Sequence, residues 1–140
     1  MTHSVIHDKR LIARIRELSR RTRDAKPAFK RIAARMLAAT HRNFQSQRTP
    51  DGRPWVALSE RTLKRRGGSG RILMDTGDLR QRCESSYTGR EATVTNTIKY
   101  ARTHQRGDRK RKIPARPFLG LTGKGNRQYK NILTGYLRHV

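Results

Sequence analysis

The spacing of apolar residues predicts helices in the first third of the chain. Within residues 5–19 the apolar side chains share one helical face, while arginine and lysine fill other positions. The members of that face are Leu11, Ile12, Ile15 and Leu18. This pattern predicts a short amphipathic helix.

A second, longer helix is predicted to end near residue 46. Asp24 is its predicted N-cap, and Pro27 fits the first turn, where its missing N–H costs nothing. Apolar positions then follow the i, i+3, i+4, i+7 pattern over four turns. They are Phe29, Ile32, Ala33, Met36, Leu37, Thr40 and Phe44.

The next section alternates turns with short elements. Residues 49–52, Thr-Pro-Asp-Gly, predict a β-turn, and Trp55 directly after it is interpreted as a core residue rather than a binding residue. Ser59 is expected to cap a short helix that runs through Arg66. Either Asp75 or Thr76 is expected to cap one further helical turn.

A β-hairpin is predicted over residues 83–95. Cys83, Ser85 and Tyr87 alternate with polar neighbours in the first strand. Residues 88–90 have turn composition, and residues 92–95 form the returning strand. The last helix is predicted from the periodic apolar residues between Tyr129 and Val140. The predicted fold is therefore α+β: helices at both ends pack on a small antiparallel sheet, joined by long loops.

Residues 98–120 form the central segment of this prediction. Tyr100, Ala101, His104 and Gln105 have helical spacing, and Gly107 is a predicted helix C-cap. Residues 113–120, which we call the strap, read Ile-Pro-Ala-Arg-Pro-Phe-Leu-Gly. Pro114 and Pro117 exclude a central strand, so an edge or connector is predicted, with Phe118 and Leu119 anchored in the core and Arg116 held extended.

Composition is consistent with one domain over residues 1–140, with an N-terminal helical part at about residues 5–46. Hydrophobic residues make up only 33%, which predicts a thin core: either a small folded centre with mobile arms, or a protomer that completes its burial against copies of itself. No apolar run reaches the length of a membrane span, and no secretory signal is seen. A single cysteine, Cys83, fits a reducing compartment and is expected to be a buried, inert thiol.

Residue patterns for catalysis are weak. Asp75 and Asp78 are better explained as helix-capping groups than as a catalytic pair. The five histidines are scattered, and His3 and His7 lack the cysteine or acidic neighbours that zinc sites use. We therefore expect no enzyme activity, no metal and no cofactor.

Positive charge is the strongest signal in the sequence, because 34 lysines and arginines face only 10 acidic residues, a net charge of +24. Such a charge attracts polyanions through counter-ion release, so nonspecific DNA contact or an acidic protein partner is expected. The alternative of a merely solvated surface is weaker at this charge. The densest positions, in residues 61–71 and 106–116, are Arg61, Lys64, Arg65, Arg66, Arg71, Arg106, Arg109, Lys110, Arg111 and Lys112.

Four motifs in order resemble the phage virion morphogenesis family, the tail-completion proteins of Mu-like and related tailed phages. They are Phe44-x-x-Gln47-x-x-x-Pro50-x-Gly52-x-x-Trp55-x-x-Leu58; Ile72-Leu73-x-x-Thr76-Gly77-x-Leu79; Tyr100-Ala101-x-x-His104-Gln105-x-Gly107; and the strap from Ile113 to Gly120. Family members often begin the last helix with acidic residues, whereas residues 123–127 here are basic.

The resemblance implies a non-enzymatic structural protein at the head–tail junction, in the virion and, during assembly, in the host cytoplasm. It implies a ring through which the genome passes, contacting connector and tail proteins but no membrane; cyclic symmetry is expected, with a hexamer as the working copy number. A monomeric, sequence-nonspecific nucleic-acid-binding protein is the alternative function.

Overall fold

The computed structural model describes residues 2–5, 9–10, 13, 16–17, 25–68 and 70–138. These residues contain three strands: β1 (Thr2–Val5), β2 (Cys83–Tyr87) and β3 (Ala92–Asn96). The helices with full bounds are α1 (Lys26–Ser46), α2 (Glu60–Arg65), α3 (Asp78–Gln81), α4 (Ala101–Arg106) and α5 (Gly123–Arg138). This α+β arrangement is the predicted fold class.

β3 is the central strand of an antiparallel sheet ordered β1-β3-β2. The predicted hairpin is confirmed, with Cys83 opposite Asn96 and Tyr87 opposite Ala92. Its turn is closed by the backbone N–H of Thr88, which donates to the carbonyl of Glu91 at 2.9 Å. Ala92, Val94 and Asn96 of β3 point into the core.

The first strand was not predicted from the sequence. Val5, placed at the start of a helix by its periodicity, pairs instead with Thr93 of the central strand. Only a partner about ninety residues away creates this strand, so no local pattern reveals it. Helical backbone is present at residues 9–10, 13 and 16–17, which are exposed, while Leu11, Ile12, Ile15 and Leu18 lie outside the described residues.

The long helix α1 supplies one side of the core. Its predicted apolar face is confirmed. Leu37 is half-buried, and the other predicted members of the face are buried: Phe29, Ile32, Ala33, Met36, Thr40 and Phe44. Its start differs from the prediction: Ala25, not Asp24, occupies the N-cap position, without a side-chain hydrogen bond. Pro27 in the first turn has no N–H to satisfy, so one of the unpaired donors at this end is absent.

Aromatic rings join α1 to the rest of the molecule. The ring of Phe44 packs edge-on against Trp55, with centroids 5.5 Å apart, and lies 5.2 Å from the ring of Phe118. Tyr129 and Leu133 of α5 complete the same core. The core is therefore assembled from α1, the inward face of the sheet, the strap and α5.

Helix starts in the second half of the chain follow local chemistry. Ser59 caps α2 as predicted, accepting a hydrogen bond from the backbone N–H of Thr62. At α3 the prediction of Asp75 or Thr76 was wrong, because Gly77 takes the N-cap position with φ +82°. The basic start of α5 is capped by the hydroxyl of Thr122, which accepts from the N–H of Gly125 at 3.0 Å.

Candidate functional site

The strap is an extended connector held in place by side chains rather than by a β-ladder. Only its first residue, Ile113, makes a strand-like bridge, to Asp108. Phe118 and Leu119 are buried, as predicted. Proline at two positions removes backbone donors, so the strap depends on bonds that other elements supply.

Gln105 in α4 provides three of those bonds. Its Oε1 accepts from the backbone N–H groups of Phe118 and Leu119, each at 3.1 Å, and its Nε2 donates to the carbonyl of Leu119 at 2.7 Å. One amide thus replaces the pairing that a neighbouring strand would give. The sequence predicted the helical position of this glutamine but not this role.

Two carbonyl groups of the strap accept hydrogen bonds from side chains on the other side of the core. The indole Nε1 of Trp55 donates to the carbonyl of Pro117 at 2.7 Å, and Asn43 Nδ2 donates to that of Phe118 at 3.1 Å. Trp55 is 5% exposed, which confirms its predicted place in the core. The donor from Asn43 was not anticipated, because it depends on a contact between residues 75 positions apart.

Arg116 is the buried cation of the strap. It is 7% exposed, and its Nε and one terminal nitrogen donate to the carbonyls of Val56 and Ala57 at 2.7 and 2.8 Å. Its backbone N–H donates to the carbonyl of His104 at 2.7 Å. Burial, with the nearby charge of Arg66, lowers the pKa of Arg116. Arg116 therefore links the strap to the segment after Trp55, unlike the exposed cations around it.

Gly107 permits the close approach of α4 and the strap. It ends the helix as predicted, with φ +76° and its N–H donating to the carbonyl of Thr103 at 2.7 Å. A Cβ at this position would lie 2.8 Å from the nitrogen of Ala115 and 2.9 Å from the carbonyl oxygen of Ile113. Both atoms belong to the backbone, so the contact cannot relax by a side-chain rotation.

An open cleft of about 1120 Å³ lies beside the strap. Its walls come from residues 56–66, from residues 73–79 and from the segment between Tyr100 and Arg116. Apolar side chains form part of the lining: Val56, Leu58, Leu73, Tyr100, Ile113 and Pro114. We call this feature the basic cleft because both basic runs of the sequence contribute to it.

The basic cleft brings together only part of the predicted cation set. The basic side chains that line it are Arg65, Arg66, Arg109, Arg111, Lys112 and Arg116. The other predicted cations lie outside its lining: Arg61, Lys64, Arg71, Arg106 and Lys110. Two runs that are far apart in sequence thus contribute to one surface.

Some of these cations are already paired within the molecule. Arg111 Nε lies 2.7 Å from a carboxylate oxygen of Asp108, and this contact lowers the pKa of the aspartate. Arg66 Nε lies 3.5 Å from Asp75, and a terminal nitrogen of Arg66 donates to the carbonyl of Arg71 at 3.0 Å. A guanidinium group of Arg71 in turn donates to the carbonyl of Gln45.

Three cations of the cleft have no such partner. In the described parts of the chain, the charged groups of Arg65, Arg109 and Lys112 make no hydrogen bond or ion pair, and all three residues are exposed. These groups are available to an incoming anion.

Two buried polar atoms of the cleft lack a hydrogen-bond partner, out of three such atoms in the described chain. They are Nδ1 of His104 and Nε of Arg66, and the third belongs to Asn126. Burial, and then the charge of Arg116, lower the pKa of His104 below its ordinary value of 6.5. The ring of Tyr100 packs edge-on against it at 5.7 Å. Neutral His104 therefore presents an unused ring nitrogen, not a cation.

Groups with catalytic potential are few among the described residues. No cluster of three or more His, Cys, Asp or Glu side chains that could hold a metal is found there, and no helix is long and apolar enough to cross a membrane. Burial raises the pKa of the Cys83 thiol, which donates to the carbonyl of Leu79 at 3.4 Å. This packed, protonated thiol matches the expected inert cysteine. His7 and the side chain of His3 lie outside the described residues.

Known proteins resemble this chain over most of its length. It is 36% identical over 114 residues to "Mu-like prophage FluMu G protein 2" of Haemophilus influenzae, covering 77% of this chain and 75% of that protein. It is 33% identical over 132 residues to "Putative capsid assembly protein G" of Escherichia phage Mu, covering 86% and 83%. A more distant relative is "Tail completion protein S" of Escherichia phage P2, 23% identical over 119 residues and covering 76% and 79%.

No solved structure matches the chain. The sequence profile of the phage virion morphogenesis family matches residues 6–138. This range includes all four motifs and the three segments that line the basic cleft. With the motif residues assembled around one strap, and with relatives above 30% identity over most of the chain, the protein belongs to the phage virion morphogenesis family.

Proposed function

We propose that this protein is a structural, non-catalytic component of the phage head–tail junction, which completes the tail and joins it to the capsid connector. The observation that carries this proposal is the use of the motif residues: Gln105, Trp55 and Arg116 hold a rigid strap rather than activating a nucleophile or a metal. The names of the relatives, an assembly protein and a tail completion protein, support the same role.

The working form is a closed ring around the packaged genome. A net charge of +24 repels itself in a free monomer, and a lumen filled with DNA supplies the opposite charge. Cyclic symmetry is the usual solution for identical subunits, and a hexamer is the working number. The cations outside the cleft, such as Arg61, Lys64 and Arg106, contact DNA without reading its sequence.

The protein acts in the virion neck or tail after assembly in the host cytoplasm. Its partners are copies of itself, the adjacent connector and tail proteins, and packaged DNA. A membrane has no part in this function.

A complementation experiment tests the junction role. A phage that lacks this gene is expected to accumulate full heads and free tails, and purified protein added to the lysate should restore joined particles under the electron microscope. Lys99→Gln, a mild change at an exposed site outside the basic cleft, serves as a folded variant for comparison. Normal numbers of joined particles without the protein would contradict the proposal.

Ring formation is tested separately by native mass spectrometry of the protein alone and with the products of adjacent genes. A single closed oligomer, formed alone or on the connector, is expected. A monomer under both conditions would remove the ring from the proposal.

A monomeric nucleic-acid-binding protein is the second candidate, favoured by the +24 charge alone. This alternative predicts that the monomer binds duplex DNA with a steep loss of affinity as salt rises, and that deletion of the gene leaves head–tail joining intact. The complementation experiment therefore separates the two functions.

A further inference from the structure

The basic cleft has the properties of a peptide-binding site rather than of a general polyanion surface. Three large apolar side chains are exposed in the described chain, and two of them, Val56 (54%) and Tyr100 (45%), line this cleft. An exposed apolar pair beside unpaired cations favours a ligand that carries both carboxylates and apolar groups.

An unsatisfied atom gives a second, independent indication. Buried polar atoms normally have a hydrogen-bond partner, so Nδ1 of His104 marks a place where an incoming polar atom is needed, whereas Nε of Arg66 already lies 3.5 Å from the carboxylate of Asp75. His104 belongs to the lining of the cleft. An extended peptide brings backbone N–H and C=O groups at regular intervals, which can serve such positions.

Duplex DNA fits this cleft poorly. Asp75, Asp78 and Asp108 also line it, and their carboxylates repel a continuous row of phosphates. A duplex is stiff, with a persistence length of about 50 nm, so it cannot bend into a concave site of this size. A short peptide can place each carboxylate beside a cation and away from these aspartates.

A second copy of this chain is also an unsuitable ligand. It has only 10 acidic residues in 140, and the densest pair, Asp75 and Asp78, already lies in the cleft wall. The ligand must therefore come from a different protein.

We propose that the basic cleft binds a short, extended acidic segment of a partner protein. Carboxylates of that segment pair with Arg65, Arg109 and Lys112, and its apolar side chains cover Val56 and Tyr100. Arg116 remains the fixed floor of the site, because its two donors are already bound to backbone carbonyls. The proposal names the chemistry of a partner for the assembly role given above, but it does not depend on ring formation.

The experiment selects ligands without assuming their sequence. Immobilised full-length protein is offered a library of random short peptides in moderate salt, and the enriched peptides are labelled and titrated by fluorescence anisotropy. Enriched sequences are expected to combine Asp or Glu with Leu, Ile or an aromatic residue. Replacement of the apolar positions by serine should weaken binding about fivefold or more.

A pair of charge-matched variants locates the binding site. The cleft variant Arg65→Gln/Arg109→Gln/Lys112→Gln and the control variant Arg61→Gln/Lys64→Gln/Lys110→Gln remove three exposed cations each from the same two basic runs. We expect the cleft variant to lose about tenfold or more in affinity for the peptide, and the control variant less than about threefold. Duplex DNA should lose no more affinity in the cleft variant than in the control variant, because its phosphates contact cations outside the cleft.

A third variant, Val56→Ser, tests the apolar contact without changing charge. It should weaken the peptide about threefold or more and leave duplex DNA unaffected. Urea unfolding of all variants checks that the fold is retained.

Four results would overturn the inference. Equal weakening of the peptide by both triple variants would mean diffuse charge attraction, and absence of acidic–apolar enrichment would mean no such ligand. Loss of self-association in the cleft variant alone would assign the cleft to contacts between copies. A ring that forms and joins heads to tails while no peptide binds would leave the proposed function standing and remove this inference only.

Discussion

The strap and the rim of the basic cleft use the same side chain for different purposes. Arg116 in the strap is buried and its guanidinium donates to two backbone carbonyls, whereas the charged groups of Arg65 and Arg109 on the rim are exposed and make no hydrogen bond or ion pair in the described chain. The positions differ in burial and in the acceptors within reach, not in charge. An arginine in this protein is therefore structural where carbonyls surround it and free for a partner where none do.

This difference explains why the count of cations alone is a poor guide to function. All of the cations in residues 106–116 look equivalent in sequence, yet Arg111 is bound to Asp108, Arg116 is part of the core, and Lys112 is free. Exposed ion pairs contribute little to stability, whereas removal of a buried charged side chain leaves its hydrogen-bond acceptors unsatisfied. Substitutions in the strap should therefore lower stability, and substitutions on the rim should weaken partner binding with little change in stability.

The largest expected effect is that of Arg116→Ala. The change leaves the carbonyls of Val56 and Ala57 without their donors, and we expect the free energy of unfolding to fall by about 3 kcal/mol. Arg65→Ala on the rim should change it by less than about 0.5 kcal/mol. Urea denaturation followed by tryptophan fluorescence measures both. Equal effects would abolish the distinction between strap and rim.

Gly107→Ala should be almost as costly, and Gly67→Ala is its matched control. Both glycines have nearly the same φ, +76° and +73°, but a Cβ at Gly107 meets the strap backbone while one at Gly67 meets nothing within 4 Å. We expect a loss of about 1 kcal/mol at Gly67 from the positive φ, and a total of about 2–3 kcal/mol at Gly107 from the clash and from its ψ of 173°, which with this φ is a backbone region essentially restricted to glycine. Thermal unfolding of the two proteins compares them directly. A similar loss at both positions would show that the strap yields easily.

Substitutions of Gln105 test how much its side-chain hydrogen bonds stabilise the strap. Gln105→Ala should cost about 2 kcal/mol, because two N–H groups and one carbonyl of the strap lose their partner. Gln105→Glu keeps the acceptor for both N–H groups but at neutral pH places a carboxylate oxygen opposite the Leu119 carbonyl, so it should also lower stability, and its cost should fall when the carboxyl group is protonated at low pH. Hydrogen exchange at the amides of Phe118 and Leu119 provides the residue-level readout. Unchanged protection in the alanine variant would argue against this role.

His104 gives the smallest effect, and it depends on pH. Its pKa is lowered by burial and by Arg116, so below about pH 6.5 the unfolded chain takes up a proton that the folded chain resists. Stability should therefore fall as the pH is lowered through this range, by at most about 1.4 kcal/mol per pH unit for this one group. His104→Gln should flatten that part of the stability curve. An unchanged curve in this variant would contradict the half-buried position of the ring.

Local patterns in the sequence determine much of the fold. The periodic apolar residues of α1, the serine before α2 and the alternation around Cys83 each predict an element from neighbours within a few positions, and the structure confirms them. β1 could not be predicted in this way, because its pairing with β3 joins the two ends of a long stretch of chain. The N-cap of α1 was also missed, since Asp24 is a better capping residue by type than the alanine that occupies that position.

The site was less predictable than the fold. Sequence identified the basic runs and the strap, but not that one arginine of the second run is buried or which carbonyls it contacts, sixty positions away. Val56 gave no signal at all, because a single exposed valine after a tryptophan has no distinguishing pattern. Gln105 stood in one of the four motifs, and its helical spacing indicated its position but not the strap groups that it contacts.

The narrow base of the loop after Gly107 has a consequence for how this protein can change. Asp108 and Ile113 donate their backbone N–H groups to each other's carbonyls, both at 2.8 Å, so the chain returns to its starting point before the strap begins. The tip between them, residues 109–112, can therefore be lengthened, shortened or recharged while the interior keeps its shape. Related phages could vary this tip, and so change which neighbouring proteins are bound, while the rest of the fold stays the same.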